Sequence, residues 1–334
     1  MRHASATPQE TATTTDPEHE GGEHVRRRAW LLFLAASVIG GMPYLLIKVA
    51  LTDYPPATVV WLRCLVATLA LGALSLRRSL LRWLRHQWRA ASLLALVQIT
   101  VPFLAIAAGE QRVTSSLAGL LIATEPLFVV ALLRCLAPSE RVAPGQIAGM
   151  LLGVLGVSAL VSTGGGDPSS TLVGVTLLLT GSFGYALGVV LLKRHFAEVP
   201  PHELATVTLG LNVLLLAPLG ASAAVTRAPA WTTAAAVLSL GLVCTAVAFL
   251  VYYALVPAAG AARAAVVTYL NPAVAVLLGA LFLDEHVSLM TVTGFLLVVT
   301  GCWLATRRWG RNRTEGLAPA PGTGRGEHTG HRRE

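Results

Sequence analysis

The chain has 334 residues, of which 54% are hydrophobic and only 13% are charged, whereas about a quarter of the residues in an ordinary soluble domain are charged. This composition excludes a soluble globular protein and predicts several apolar helices of about 20 residues each that cross a membrane. The net charge of +8 comes from short Arg and Lys clusters between apolar stretches. Nucleic-acid-binding proteins instead carry one continuous basic surface, so nucleic acid is not an expected partner.

Motifs typical of metal sites, cofactor sites and enzymes are missing from the sequence. Cysteines occur singly inside apolar runs, without the paired Cys or Cys/His spacing of a zinc site. There is no GxxxxGK[ST] nucleotide-binding loop, and no histidine falls in the middle of a predicted apolar span. We therefore expect no metal, no cofactor and no enzymatic activity.

Charged or Pro/Gly-rich breaks divide the chain into ten apolar segments between two polar tails. The tails, residues 1–28 and 307–334, contain too few apolar residues to fold and are predicted to be disordered. The predicted helices are residues 30–51, 58–76, 91–108, 115–136, 146–161, 172–192, 203–219, 232–256, 261–283 and 289–306. The sequence therefore predicts an all-α membrane protein with ten transmembrane helices.

The distribution of basic residues predicts how the helices are oriented. Arginines concentrate before the first helix, in residues 77–89, and after the fourth and tenth helices. Because basic residues in short loops stay on the cytoplasmic side, both termini are expected to be cytoplasmic. Lys48 and Lys193 each end the first helix of a repeat, and we expect their ammonium groups to extend to the membrane surface.

The second half of the chain repeats landmarks of the first half. Lys48 matches Lys193 at an offset of 145 residues, Phe103 matches Phe249 at 146, and Pro126 matches Pro272 at 146. The same offsets relate the Pro55-Pro56 pair to Pro200-Pro201, Glu140 to Glu285, Gly149 to Gly294 and Gly156 to Gly301. Residues 29–162 and 172–306 are therefore predicted to be two five-helix repeats.

An odd number of helices in each repeat places the two repeats in opposite membrane orientations. Inverted repeats can exchange conformations, so that a central site faces one side of the membrane and then the other. Periodicity alone therefore favours a transporter.

Particular residues resemble the EamA-type transporters of the drug/metabolite transporter superfamily. These are Arg63 in the second span, Pro126 and Pro272 in the fourth span of each repeat, Glu140 and Glu285 closing those spans, and the glycines of the fifth. The resemblance covers roughly residues 29–306 and implies a ten-helix inner-membrane secondary carrier, with amino acids or other small metabolites as typical exported substrates. Arg63 departs from the repeat pattern, because Thr208 occupies the matching position.

Glu125 is the most unusual residue of the predicted membrane region, because it lies near the centre of the fourth span. An acid at that depth costs several kcal/mol unless it faces protein or water. It could contact a substrate amine or couple transport to protons, so a proton is a candidate coupling ion. The alternatives are a structural ion pair with Arg63 and a protonated side chain that only packs.

Pro126 and Pro272 follow Glu125 and Asn271, and each proline removes one backbone donor. Paired helix breaks of this kind can line a midplane site, or they can be packing kinks. Further candidate substrate contacts are Tyr269, Asn271, Tyr252 and Tyr253, although the last two could equally be interface anchors.

Glycines at intervals of three or four residues predict closely packed helices in both repeats. They are Gly145, Gly149, Gly153 and Gly156 in the fifth span. Gly294 and Gly301, seven residues apart in the tenth span, match Gly149 and Gly156 and are expected to pack in the same way.

The sequence predicts a secondary transporter, most simply an exporter of small organic metabolites, that works by alternating access. Its expected partners are a small-molecule substrate and the lipid bilayer, and the sequence does not indicate an oligomeric state. The alternative is a membrane scaffold or regulatory protein that has kept the fold without transport.

Overall fold

The computed structural model describes residues 17–75, 78–136, 144–162, 167–196, 199–226, 228–259 and 261–306. Within these ranges, the side chains of residues 17–28, 74–75, 78–86, 223–226, 252–253, 256–259 and 261–266 are outside the description. The described backbone forms ten helices, numbered here in chain order. They are helix 1, Pro17–Ala50; helix 2, Pro56–Ser75; helix 3, Arg78–Ala95, Leu96–Thr100 and Val101–Glu110; helix 4, Ser115–Ile122 and Glu125–Leu136; helix 5, Pro144–Val161; helix 6, Pro168–His195; helix 7, Pro201–Thr226; helix 8, Trp231–Gly241, Leu242–Val247 and Ala248–Ala259; helix 9, Ala261–Phe282; and helix 10, Leu289–Thr306.

The predicted all-α membrane fold is confirmed. Nine of the described helices are long and apolar enough to cross a membrane, and helix 9 contributes a shorter apolar stretch, Val267–Phe282. Large apolar side chains such as Leu69, Leu214 and Leu296 are exposed on the bundle, where a bilayer would cover them. Fully buried leucines of helices 2, 4, 7 and 8 form the core, among them Leu71, Leu120, Leu209 and Leu240.

Two helices begin earlier than the sequence predicts. Helix 1 starts at Pro17, so the backbone of residues 17–28 continues the helix instead of belonging to a disordered tail. Helix 3 starts at Arg78 and ends at Glu110, which gives a length of roughly 50 Å at 1.5 Å per residue. Because a hydrocarbon core is only about 30 Å thick, the arginine-rich beginning of helix 3 extends beyond it.

Helices 5 and 10 cross through glycines that occupy equivalent places in the two repeats. A β-carbon on Gly149 would lie 2.6 Å from the carbonyl oxygen of Gly301, and one on Gly156 would lie 2.8 Å from that of Gly294. As the residue number rises along helix 5, that of its contact on helix 10 falls, so the two helices run antiparallel. This is the arrangement that inverted repeats require.

Two further glycines of helix 5 have different surroundings. A β-carbon on Gly153 would run into the side chain of Leu127 on helix 4, whereas one on Gly145 would meet only Leu304, at 3.9 Å. Gly145 therefore lies at the margin of the close contact.

Helices 3 and 8 each contain a π-helical turn, at Leu96–Thr100 and Leu242–Val247. In each turn a threonine hydroxyl donates to the carbonyl five residues earlier: Thr100 to Ala95 at 3.2 Å, and Thr245 to Leu240 at 2.8 Å. The two threonines are 145 residues apart, which is the offset of the duplication. Such turns are frequent at functional sites, and the hydrophobic pattern does not reveal them.

Candidate functional site

A cavity of about 490 Å³ lies between helices 3, 6, 7 and 8. It begins at the level of Lys193 and Pro201, where helix 6 ends and helix 7 begins, and reaches Tyr185 and Thr245 near the middle of their helices. This volume lies within the usual range for small-molecule sites, roughly 300–1,000 Å³. Lys193 lines the mouth of the cavity.

Aromatic side chains form much of the cavity wall. Phe103 and Phe249, which mark the duplication in the sequence, both line it, one from each repeat. Phe103 also packs edge-to-face against Tyr185, with 6.3 Å between the ring centroids. The wall therefore suits an apolar or aromatic group of a ligand.

Arg63 lies directly behind this wall at the deep end of the cavity. Its Nε atom donates to the Thr245 hydroxyl at 2.9 Å, and its guanidinium carbon lies 4.1 Å from the centre of the Phe103 ring. Only 8% of Arg63 is exposed. Its two terminal amino groups make no hydrogen bond to any residue in the described part of the chain. A planar guanidinium with unused donors is suited to binding a carboxylate.

A second polar bridge joins helices 3 and 7, which are the repeat equivalents of helices 8 and 2. The Thr100 hydroxyl of helix 3 lies 2.6 Å from Oδ1 of Asn212 on helix 7, and both residues are buried. Helix 2 therefore contacts the π-helical turn of helix 8 through Arg63, and helix 7 contacts that of helix 3 through Asn212. The two repeats meet at mid-depth through these two bridges.

Glu125 begins the second segment of helix 4, after the turn at Ala123 and Thr124. No described residue forms a hydrogen bond or ion pair with its carboxyl group. The proposed pairing with Arg63 is therefore absent here, because Thr245 and Phe103 hold the guanidinium. Tyr185 interacts electrostatically with both Glu125 and Arg63, so the acid lies close to the cavity.

The break in helix 4 is closed by neighbouring helices. Ser182 of helix 6 donates to the carbonyl of Ile122 at 3.4 Å, and the Cys302 thiol of helix 10 donates to that of Ala123 at 3.3 Å. The backbone groups freed around Pro126 are thus satisfied by packing rather than by a cavity.

The predicted break in helix 9 is wrong, because the helix continues through Pro272. The Asn271 amide, oriented towards acceptors, donates to the carbonyls of Val267 at 3.0 Å and of Ser37 in helix 1 at 3.2 Å. These bonds stabilise helix 9 beside Pro272, which has no backbone N–H to donate, and they join helix 9 to helix 1. Asn271 therefore connects helices and does not line the cavity.

Among the other predicted tyrosines only Tyr269 has a described side chain, and it does not line the cavity. Tyr269 packs against the buried core instead. The side chains of Tyr252 and Tyr253 lie outside the described residues.

Lys48 binds the end of helix 3, a contact that the sequence did not predict. Its ammonium group donates to the carbonyl oxygens of Glu110 at 2.5 Å and Val113 at 2.7 Å. Lysine near the end of a helix can bond the unpaired carbonyls there, and Lys48 does so for helix 3 rather than for its own helix.

Several residues of the site were missed by sequence reasoning. Tyr185 and Thr245 are ordinary residues in apolar runs, and only the three-dimensional structure brings them together. Phe103 and Phe249 did carry a signal, because a repeat-related aromatic pair in helices 3 and 8 marks equivalent positions on a pseudo-symmetric site.

Comparison with known proteins identifies relatives over most of the chain. The profile of the EamA-like transporter family matches residues 27–162 and 172–307. YedA, an uncharacterized inner membrane transporter of Escherichia coli K12, is 31% identical over 247 residues, which cover 73% of this chain and 79% of YedA. A "Probable amino-acid metabolite efflux pump" of the same organism is 24% identical over 289 residues, which cover 83% of this chain and 94% of that protein. A crystal structure with 23% sequence identity has the same fold, with a TM-score of 0.58 over 85% of this chain and 98% of that one.

Proposed function

Because the chain belongs to the EamA-like transporter family, to which its two matched repeats and its 31% identity to YedA assign it, we propose that it exports small organic metabolites as a secondary transporter. We further propose that amino acids or related compounds are the substrates, and that the cavity between helices 3, 6, 7 and 8 binds them. The name of the E. coli amino-acid metabolite efflux pump agrees with this class.

The observation that carries the proposal is the position of Arg63 at the deep end of an aromatic cavity. An amino acid offers one carboxylate and, in many cases, an apolar side chain. Its carboxylate would bind the two unused amino groups of Arg63, and its side chain would pack against Phe103, Tyr185 and Phe249. The charged interaction orients the ligand, and the apolar wall adds affinity.

The mechanism that we propose is alternating access. The cavity reaches only to mid-depth from the side where helix 6 ends. On the other side, Glu285 accepts hydrogen bonds from the backbone of Ser115 at 2.7 Å and of Ser116 at 2.9 Å, joining the end of helix 9 to the start of helix 4. Since the repeats have opposite orientations, an exchange of their conformations would close the first side and open the second.

Flux in sealed proteoliposomes tests the proposal. Purified protein would be reconstituted, and uptake of radiolabelled L-phenylalanine, L-leucine and L-threonine measured against protein-free vesicles. We expect saturable flux of the two apolar amino acids. The variant Arg63→Gln removes the charged contact, worth about 1.5–3 kcal/mol, and should raise KM about tenfold or more.

Arg112→Gln is the matched control, because Arg112 is exposed and donates to the carbonyl of Ala108 away from the cavity. Equal effects of the two Arg variants would contradict the assignment of the site. Absence of saturable flux for a broad amino-acid panel would contradict the substrate class and favour the alternative of a non-transporting scaffold.

A further inference from the structure

Glu110, the last residue of helix 3, carries a buried carboxyl group. Its side chain has no exposed surface, and neither carboxyl oxygen makes a hydrogen bond to a described residue. A buried polar group normally has a hydrogen-bond partner, and an unpaired buried charge is costly. The structure thus places an acid where the charged form has no hydrogen bond from any described residue.

The charged neighbours of Glu110 are bound elsewhere. Lys48 donates its ammonium to backbone carbonyls, including that of Glu110 itself, and forms no ion pair with the carboxyl group within the described structure. Glu285 is held at the start of helix 4, and Arg63 is held by Thr245. Among the described residues, the groups that interact electrostatically with this carboxyl are Tyr44 and Lys48 on helix 1, Arg63 on helix 2, and Glu285 between helices 9 and 10.

Helix 6 adds no charge at this place. It packs on the end of helix 3 through Gly174 and Leu178, which lie against Gly109. The first residue of helix 4, Ser115, also has a buried hydroxyl that no residue in the described part of the chain bonds. The junction of helices 3 and 4 therefore has two polar side chains with unused hydrogen-bonding capacity.

The position of Glu110 relative to the cavity matters for transport. It follows Phe103, which lines the cavity, by seven residues, or about 10 Å along the helix. It lies on the side closed by the contacts of Lys48 and Glu285, away from the cavity mouth at Lys193. Opening of that side would separate helices 1, 4 and 9 from the end of helix 3 and let water reach the carboxyl group.

We propose that Glu110 is the site that binds the coupling proton of this transporter, an inference that rests on the proposed transport function. In the open form, the carboxylate takes a proton from water on the side where helix 3 ends. In the form described here, which is closed on that side and has its cavity open at Lys193, the neutral carboxyl group is buried without a hydrogen-bond partner among the described residues. The proton returns to water when the carboxyl group becomes accessible from the cavity side, and the substrate moves in the opposite direction.

The first test needs no transport. Infrared difference spectra of the purified protein, recorded from acidic to alkaline pH, show the carbonyl stretch of protonated carboxyl groups. We expect a titrating band that Glu110→Gln removes and Glu110→Asp shifts, whereas Glu203→Gln at the start of helix 7 leaves it unchanged. A spectrum in which no titrating band depends on position 110 overturns the proposal.

The second test measures coupling in proteoliposomes that contain a pH-sensitive dye and receive the radiolabelled amino acids named above. For the wild type we expect flux to increase with an imposed pH gradient and to move protons in the opposite direction. Glu110→Gln should keep downhill flux and lose both the stimulation and the proton movement. The wild type alone can also overturn the proposal. It does so if flux depends on a sodium gradient and does not depend on the pH gradient.

The two tests separate failure of this inference from failure of the proposed function. Saturable flux without proton movement contradicts the role of Glu110 and leaves transport intact. A titrating Glu110 in a protein that transports none of the probes contradicts the substrate class alone. Loss of coupling in Glu125→Gln, with coupling retained in Glu110→Gln, overturns the inference in favour of the other acid.

Discussion

The Nε atom of Arg63 donates to the hydroxyl of Thr245 at 2.9 Å, and Thr245 in turn donates to the carbonyl of Leu240 at 2.8 Å. This chain of bonds joins helix 2 of the first repeat to the π-helical turn of helix 8 in the second. This bond engages Nε of Arg63, and within the described residues the two terminal amino groups make no hydrogen bond.

The variant Thr245→Val should weaken substrate binding. Valine keeps the shape of threonine but lacks the acceptor for Arg63, and a hydrogen bond to a charged group is worth about 1.5–3 kcal/mol. We expect KM for the amino-acid probe to rise about tenfold, as measured by flux in proteoliposomes. Thr293→Val is the control, because that exposed hydroxyl donates only to Leu289 of its own helix. Indistinguishable KM values for the two variants would exclude a role for the Arg63–Thr245 bond.

The variant Gly149→Leu should lower thermal stability. A side chain there would meet the backbone of Ala305 at 2.5 Å from its β-carbon, so helices 5 and 10 must separate. Overpacking of this kind costs about 1–3 kcal/mol or more. Gly145→Leu is the matched control, since the nearest atom to a β-carbon there is 3.9 Å away. Melting curves in detergent check the difference, and equal melting temperatures would contradict the described crossing.

The variant Glu125→Gln should fold normally and transport poorly. No described residue binds its carboxyl group, so we expect the free energy of unfolding to change by less than about 1 kcal/mol. Loss of an ionisable carboxyl group near Tyr185 should weaken the binding of a substrate ammonium group and raise KM. Flux and melting temperature, measured on the same preparation, distinguish a transport role of Glu125 from a structural role. A variant that melts early while transporting normally assigns Glu125 to structure.

Asp167 caps the first turn of helix 6, and its contribution should depend on pH. Its pKa lies below the ordinary value because the Ser169 hydroxyl and then the Ser170 amide, at 3.0 Å, donate to its carboxylate. A depressed pKa means that the stabilisation is present above the ordinary value of 3.8 and is lost as the pH falls through the lower folded value. The melting temperature of Asp167→Ala should therefore be lower than that of the wild type at neutral pH. The two should converge in strong acid, and a constant difference would contradict the cap.

The membrane orientation can be tested by cysteine labelling. In a background without native cysteines, Arg82→Cys should be protected from an impermeant reagent added to intact cells, because arginine-rich loops stay in the cytoplasm. His286→Cys, in the exposed segment between helices 9 and 10, should react. The reverse pattern would place both termini outside.

Much of the fold follows from the sequence by itself. Apolar runs of membrane-spanning length predict the helices, since the hydrocarbon core requires about 20 apolar residues for each crossing. Pairs such as Lys48 with Lys193, and Pro126 with Pro272, identify the duplication. An odd number of helices in each repeat then requires inversion, which the antiparallel contact of Gly149 with Gly301 displays.

The candidate site depended on tertiary structure. The pattern of apolar residues predicts whether a segment lies in lipid or in water. It does not predict which residue of one helix contacts which residue of another. Arg63 and Thr245 are 182 positions apart, and only close packing brings them into a hydrogen bond. Lys48 looks like an interface lysine in the sequence, yet the end of helix 3 lies close enough to take its ammonium group. Glu110 falls beyond the predicted end of its helix, and its isolation is visible only when the helices that exclude water from it are in place.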